Sequence, residues 1–221
     1  MSANSDKTRR RILAAAERLF AARGRDGATM RGIAAAAAVP IALVSYHFGS
    51  KGELYRAIFA HRYGPLTEER FARLRAVEGA PVHGDAVERL VRAFLEPLAH
   101  MRSRRGARHF AVLLAREASD PDEASRGILA DYLDPTARAY LQALGRALPG
   151  RSAADIAWGY QFVIGAIVLV IADTHRLTRL SGGAARAGDV DAAIERLGRF
   201  AAAGFRAMAR RAPANRGRPR A

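Results

Sequence analysis

The chain has 221 residues, half of them hydrophobic, no cysteine, and a formal net charge of +15 at pH 7. That length holds one small plus one medium domain, or one elongated helical unit, and the missing cysteine excludes disulfides and thiolate metal centres. Alanine and leucine abound while β-branched runs are few, which favours helix, and the N-terminal MSANSDKTRRR has no apolar h-region of a secretory signal, so a cytoplasmic protein is expected.

The charge sits at the two ends. Residues 1–63 hold nine Arg and two Lys against four acids, and residues 206–221 hold six Arg and no acid, which leaves only +2 for everything between. A basic head and tail on a near-neutral body suit a head that meets a polyanion. Arginine enrichment from a GC-rich genome is the plain alternative, above all for the tail.

Residues 1–7 are polar and read as a loose arm. Thr8 or Asp6 can cap a first helix running to about Arg23, with Ile12, Ala15, Ala16, Leu19 and Phe20 as its inward stripe. Arg9, Arg10 and Arg11 crowd its first turn, where the helix dipole disfavours cations and a nearby phosphate would reverse the sign. Gly24 ends this helix and Gly27 continues the loop. Thr29 caps the next, which carries Met30, Ile33, Ala34 and Ala37 at helical spacing. Ala38, Val39 and Pro40 end it. A short helix from Ile41 to His47 turns Val44 and Phe48 inward, leaving Ile41, Ala42, Leu43, Ser45, Tyr46 and His47 wholly or partly outward. Ser50, Lys51, Gly52 and Glu53 form a capping box that opens the helix with Leu54, Ile58 and Phe59. Leu19, Phe20, Ile33, Val39, Val44 and Phe48 can close one small core.

That helix reaches about Tyr63. Gly64 and Pro65 should interrupt it, and a helical segment resumes through Phe71, Leu74 and Val77. The boundary between a head (1–63) and a body (64–211) falls there, and 212–221 reads as a disordered basic tail. In the body, Asp85 caps a helix with Val87, Leu90, Val91, Phe94, Leu95 and Leu98. A basic connector with Gly106 leads to a helix with Phe110, Leu113 and Leu114, which ends near Pro121. From Glu123 to Ala147 one helix is expected, kinked or restarted at Pro135. Ser152 caps the next. From Ile156 to Ala172 the chain is apolar nearly all round, at the lower limit of length for a membrane span. A helix buried on every side, one face on the body and another on a second copy, accounts for it better, and no membrane partner is expected. Residues 173–183 read as a polar loop. From Asp189 to Met208 an amphipathic helix carries a small-residue seam of Ala201, Gly204 and Ala207. Packed against their mates, these two helices would form a four-helix homodimer interface.

The stretch ATMRGIAAAAAVPIALVSYHFGSKGEL, residues 28–54, resembles the DNA-binding helix-turn-helix of the TetR family of bacterial regulators. Thr29, Arg31, Ile33, Ala34, Val39, Tyr46, His47, Phe48, Ser50, Lys51 and Leu54 fall in register with that pattern. Ala38 replaces the usual turn glycine, Pro40 the capping serine, Ala42 a glycine and Ser45 a tyrosine. The body is similar to the family's effector domain, and LLAREASDPD, GYQFVIGAIVLVIAD and RLSGG resemble its fatty-acid-responsive PsrA-type branch. The resemblance implies an all-α fold: an N-terminal three-helix head plus a larger helical effector-binding and dimerisation domain. It further implies a ligand-responsive dimeric transcriptional regulator, a repressor released from a pseudo-palindromic double-stranded DNA operator by a small apolar effector, acyl or aromatic.

On that resemblance Thr29 belongs to the DNA-binding set, and the base-facing positions are Arg31, Ile41, Ala42, Leu43 and Ser45. Only Arg31 can make a bidentate bond to guanine, and the three apolar side chains can only touch thymine methyls, so DNA shape would carry much of the reading. Tyr46, His47 and Lys51 are phosphate candidates, with Lys51 beside the free N–H groups of a helix start. A half-buried aromatic and a capping histidine are the plainer roles of Tyr46 and His47. Met101, Phe110, Leu113, Leu114, Tyr132, Trp158, Phe162 and Ala166 are candidates for an effector pocket, each as readily a core residue. His109 with Glu117, or Asp173 with His175, could be imagined as acid–base or metal pairs. Neither has a spacing such as H-E-x-x-H, and no glycine-rich phosphate loop follows a strand, so no catalytic residue, metal ligand or cofactor is assigned. Two other readings remain: a non-specific architectural DNA binder driven by head and tail, and a ligand carrier with a vestigial head.

Overall fold

The computed structural model describes residues 3–80, 85–102, 107–172, 175–186 and 188–208, with side chains throughout except at 3, 99–102, 107, 171 and 172. Every regular element among these residues is a helix: α1 (Ala3–Gly27), α2 (Met30–Ala36), α3 (Ile41–Phe48), α4 (Lys51–Gly79), α5 (Ala86–Arg102), α6 (Ala107–Ala118), α7 (Glu123–Arg126), α8 (Ile128–Tyr132), α9 (Asp134–Ala147), α10 (Ala153–Ala172), α11 (Arg176–Leu180) and α12 (Val190–Ala207). The sequence expectation of an all-α chain holds.

In the head, α1, α2, α3 and the start of α4 enclose Ile12, Ala16, Phe20, Ile33, Val44, Phe48 and Leu54. Leu19 and Val39 are only partly buried against that core. Helix α1 starts at Ala3 rather than after a loose arm, so neither Asp6 nor Thr8 caps it. Asp6 instead lies in its first turn, where the dipole favours an acid. The right-handed run breaks at Gly24 (φ 73°, ψ 173°), a conformation that glycine alone adopts freely. The Thr29 hydroxyl accepts from Gly32 N at 3.1 Å, capping α2. Ala38 takes φ 50° in the turn between α2 and α3, and Arg11 Nη2 donates to the carbonyls of Ala37 (2.7 Å) and Ala38 (3.0 Å). Arg11 therefore holds the turn together, and Arg9 lies over the Phe48 ring at 5.2 Å.

Helix α4 opens with the expected capping box: Glu53 N donates to Ser50 Oγ at 3.2 Å, and Ser50 N to Glu53 Oε2 at 2.8 Å. It then runs 29 residues without the expected interruption, passing straight through Pro65. The proline forfeits one hydrogen bond to the carbonyl four residues back. Tyr63, Leu66, Arg70 and Leu74, buried on both sides of it, hold the two halves in line.

The body forms around the second half of α4. Helix α5 packs on α4, α9 and α12, and α10 packs on α6, α9 and α12. The stretch expected as one helix between 123 and 147 is three, divided at Gly127 (φ 62°) and at Leu133, with Pro135 in the first turn of α9 as expected. Residues 176–180 form α11 where a loop was expected. Asp85, Ser152 and Asp189 accept from Val87 N (3.1 Å), Asp155 N (3.0 Å) and Ala192 N (3.1 Å), as the sequence predicted. Helix α10 is not buried on every side within one chain. Ile156, Val163 and Ile167 face the core, while Trp158, Phe162 and Leu169 are exposed.

Candidate nucleic-acid interface and effector region

Helix α3 is fixed by Val44 and Phe48, which sit four residues apart and are buried in the head. Pinning that face turns the other outward. Ile41 (46 % exposed), Leu43 (38 %) and Tyr46 (81 %) are unusually exposed for such side chains, and Ala42 and Ser45 are exposed beside them. His47 is half-buried, its ring edge-on to Tyr46 at 5.3 Å. Thr29 and Arg31 are exposed at the start of α2, and Lys51 is half-buried as the first residue of α4. All nine sequence-selected residues thus lie on the outer sides of α2 and α3 and the first turn of α4. Thr29 is engaged as a cap, so its part is to set the direction of α2.

Behind this face lies a buried seam between head and body that the sequence reading missed. Glu117 of α6 (2 % exposed) accepts from Tyr55 Oη of α4 at 2.9 Å and from Arg126 Nε of α7 at 2.8 Å. Arg126 also pairs with Asp120 at 2.8 Å. Burial disfavours charge on Arg126, but these two carboxylates outweigh it and hold its pKa above the usual arginine value. Burial, reinforced by the Glu117 charge, pushes the Tyr55 hydroxyl far up. The Tyr55 ring stands edge-on to Phe20 of α1 at 5.0 Å, and Arg116 donates to the Phe20 carbonyl at 3.2 Å. Within the head, Arg62 grips Glu17 through two bonds of 2.7 Å. Glu117 is accordingly a strut, not an acid–base partner of the exposed His109. Asp173 lies outside the described residues, and among those residues no group of three or more His, Asp or Glu side chains could hold a metal ion. The signal that could have found the strut is Glu117 occupying the apolar face of α6, three residues after Leu114.

Of the eight effector-pocket candidates, the seven whose side chains are described do not converge. Phe110, Leu113 and Leu114 are solid core, with Phe110 edge-on to Phe59 (5.4 Å) and Tyr63 (5.5 Å). Tyr132 is half-buried beneath Arg56, 5.6 Å from its ring, and Arg56 is ion-paired to Asp131. Trp158 and Phe162 stack on each other at 5.9 Å on the outside of α10, with Ala166 half-buried along the same helix. The side chain of Met101 lies outside the described residues, as does the 212–221 tail. Helix α10 shows no polar side to indicate which of its apolar sides is outer.

Two other features occupy this region. A shallow apolar groove runs between α10 and α12, lined by Phe162, Ala166, Leu197, Phe200, Gly204 and Met208 among others. Phe200 is 76 % exposed there, and the approach of the two helices is set by Gly159, where an added Cβ would stand 2.2 Å from Phe205 Cε1. A second, smaller apolar void of about 10 Å³, room for at most one water, lies between α5, α9, α10 and α12, walled by Phe94, Tyr140, Tyr160 and Val163 among others.

A short exposed recognition-type helix on a three-helix head, carried by one long helix into a larger helical body, defines a helix-turn-helix regulator fold. Residues 12–58 match the family described as bacterial regulatory proteins, tetR family, and residues 92–204 match the tetracyclin repressor-like C-terminal domain. The chain belongs to the TetR family of transcriptional regulators. No curated protein matches it. Among solved structures it is similar to the fatty acid degradation regulator FadR from Bacillus halodurans (15 % identity, 92 % of this chain and 97 % of that one, TM-score 0.64). It is also similar to NalD, the secondary repressor of the MexAB-OprM multidrug efflux pump in Pseudomonas aeruginosa (21 %, 90 % and 97 %, TM-score 0.62). A third is AibR, solved with isovaleryl coenzyme A and operator DNA (21 %, 87 % and 97 %, TM-score 0.58). At these identities the likeness establishes the fold, not the ligand.

Proposed function

We propose that this chain is a ligand-responsive dimeric repressor acting in the cytoplasm. Its head (1–63) binds a pseudo-palindromic operator, and its body (64–211) dimerises and takes a small effector with an apolar portion. The observation that carries this reading is the outward face of α3. Ile41, Leu43 and Tyr46 remain exposed although the head has a complete core, and apolar side chains kept in water call for a surface to cover them. Arg31 supplies the bidentate donor to guanine, Ile41, Ala42 and Leu43 meet thymine methyls, Ser45 reaches either base type, and Tyr46, His47 and Lys51 hold phosphates. The groove between α10 and α12 is continued by a second copy, which sets two heads about 34–36 Å apart. AibR, with its coenzyme A thioester and operator, supports an acyl-type effector.

The test is selection of bound duplexes from a random pool, with and without candidate effectors. A pseudo-palindromic consensus whose recovery falls with ligand is expected, and Arg31→Ala should relax preference at one position of each half-site. A pool enriched in no sequence, with Arg31→Ala weakening every duplex equally and loss of 212–221 abolishing most affinity, would establish the architectural reading instead. No duplex binding even at low salt would leave a ligand carrier.

A further inference from the structure

Among the described residues, Arg70 is a buried cation without a counter-ion. It takes a place in the inward stripe of α4 between Tyr63 and Leu66 on one side and Leu74 on the other, and is 3 % exposed. Its Nε donates to the Phe94 carbonyl at 3.0 Å, and its guanidinium carbon lies 3.8 Å from the centre of the Phe94 ring. The Tyr140 hydroxyl donates to Arg70's own carbonyl at 3.0 Å. No carboxylate pairs with it among the described residues, and the groups that act on its charge are the hydroxyls of Tyr63, Tyr160 and Tyr140. Two other largely buried arginines are paired, Arg62 with Glu17 and Arg126 with Glu117 and Asp120. Taking a guanidinium out of water is expensive unless an anion and hydrogen bonds replace the hydration shell. Burial lowers its pKa, yet arginine stays charged at any pH the protein meets. Phe94, Tyr140 and Tyr160 are also walls of the apolar void between α5, α9, α10 and α12.

We propose that Arg70 is the anchor for the carboxylate of an amphipathic effector, whose hydrocarbon or aromatic body opens and fills that void. The planar guanidinium fork matches a carboxylate bidentately, and the hydroxyls of Tyr63 and Tyr160 supply donors to its remaining lone pairs, that of Tyr140 being spent on the Arg70 carbonyl. One buried cation neutralises one charge, so a monoanionic carboxylate fits and a phosphate dianion does not. The rest of the wall is apolar and takes apolar surface. The space measures only about 10 Å³, so a ligand must part the helices around it. Because Arg70 lies on α4, the same helix that begins in the head, that movement reaches α3 directly. The inference rests on the ligand-responsive reading above and narrows its effector to organic acids.

The test is calorimetric titration of the full chain, without DNA, against a series of straight-chain and aromatic carboxylic acids, each paired with its primary amide. At least one acid should bind about tenfold or more tightly than its amide. Arg70→Met should bring that ratio to about one, with circular dichroism confirming the fold. If the methionine variant does not fold, Arg70→Lys decides: it keeps the charge but loses the fork, so the ratio must fall. No acid that binds, acids no better than amides in the wild type, or a ratio unchanged by substitution overturns the proposal. Amides that release the operator as well as acids do would sink this inference and leave the proposed function standing. Acids that bind through Arg70 without affecting the operator would do the reverse.

Discussion

Glu117 joins three helices, and its removal can be worked through quantitatively. Glu117→Ala leaves the Tyr55 hydroxyl without an acceptor in a site where that residue is 4 % exposed, and strips Arg126 of its more buried partner. Breaking a buried charge pair by deleting one partner costs about 3–5 kcal/mol. Arg126 keeps Asp120 at 2.8 Å, which places the expected loss near the lower end, about 3 kcal/mol. Tyr55→Phe removes one hydrogen bond and leaves Glu117 with Arg126, so about 1 kcal/mol is expected. In the double variant the unsatisfied hydroxyl no longer exists, and the two effects should fall short of their sum by about 1 kcal/mol. Urea denaturation of the four proteins measures this, with the slope checked for constancy. If Glu117→Ala costs under about 1 kcal/mol, or the two changes add within about 0.3 kcal/mol, the strut does not hold head to body as argued.

Five further outcomes follow from single positions. Ala38→Gly relieves a positive φ of 50° and should stabilise the head by about 0.5–1 kcal/mol, read as a rise in melting temperature. Gly159→Ala drives a methyl against Phe205 and should cost about 1–3 kcal/mol by denaturant titration. Gly145→Ala on α9, where the nearest atom stands at an ordinary 3.8 Å, should gain up to about 1 kcal/mol instead. Phe200→Glu lies outside the core of one chain, so its far-ultraviolet spectrum should match the wild type while sedimentation shows monomers; an unaltered dimer would place the interface elsewhere. Hydrogen bonds donated by the Ser50 backbone N–H and then by its hydroxyl hold the Glu53 carboxyl below its ordinary 4.5. Its contribution is therefore full above that value and lost as pH falls through the lowered one, so Glu53→Gln should flatten the acid limb of the stability curve.

Local chemistry was readable wherever it is short-range. The caps at Thr29, Ser50, Asp85, Ser152 and Asp189 and the inward pair Val44 and Phe48 all follow from spacings of four residues or fewer, while the left-handed turn at Ala38 came only through the family resemblance. The outward set on α3 followed as the complement of that pair. What the sequence hid depends on partners far along the chain. Pro65 signals a break, and only burial of Tyr63 and Leu66 against the body overrides it. Glu117 finds Tyr55 sixty-two residues away, and Tyr140 finds Arg70 seventy residues away, separations that no periodicity encodes. Trp158 and Phe162 read as pocket candidates and stand on the outside of α10, because an evenly apolar helix gives no sign of which side is outer. Arg70 did leave a trace, a cation in register with Tyr63, Leu66 and Leu74.

Helix α4 has a mechanical consequence. Its 29 residues make a rod of about 43 Å, with the capping box at one end and Leu74 seated in the body at the other. Pivoting such a rod by about 5° sweeps its far tip through about 4 Å, close to the rise of one base pair. On the function proposed above, a change among side chains too small to notice at the pivot would become a step-sized misfit at the grooves, with the stiffness of a single helix as the gain of the switch.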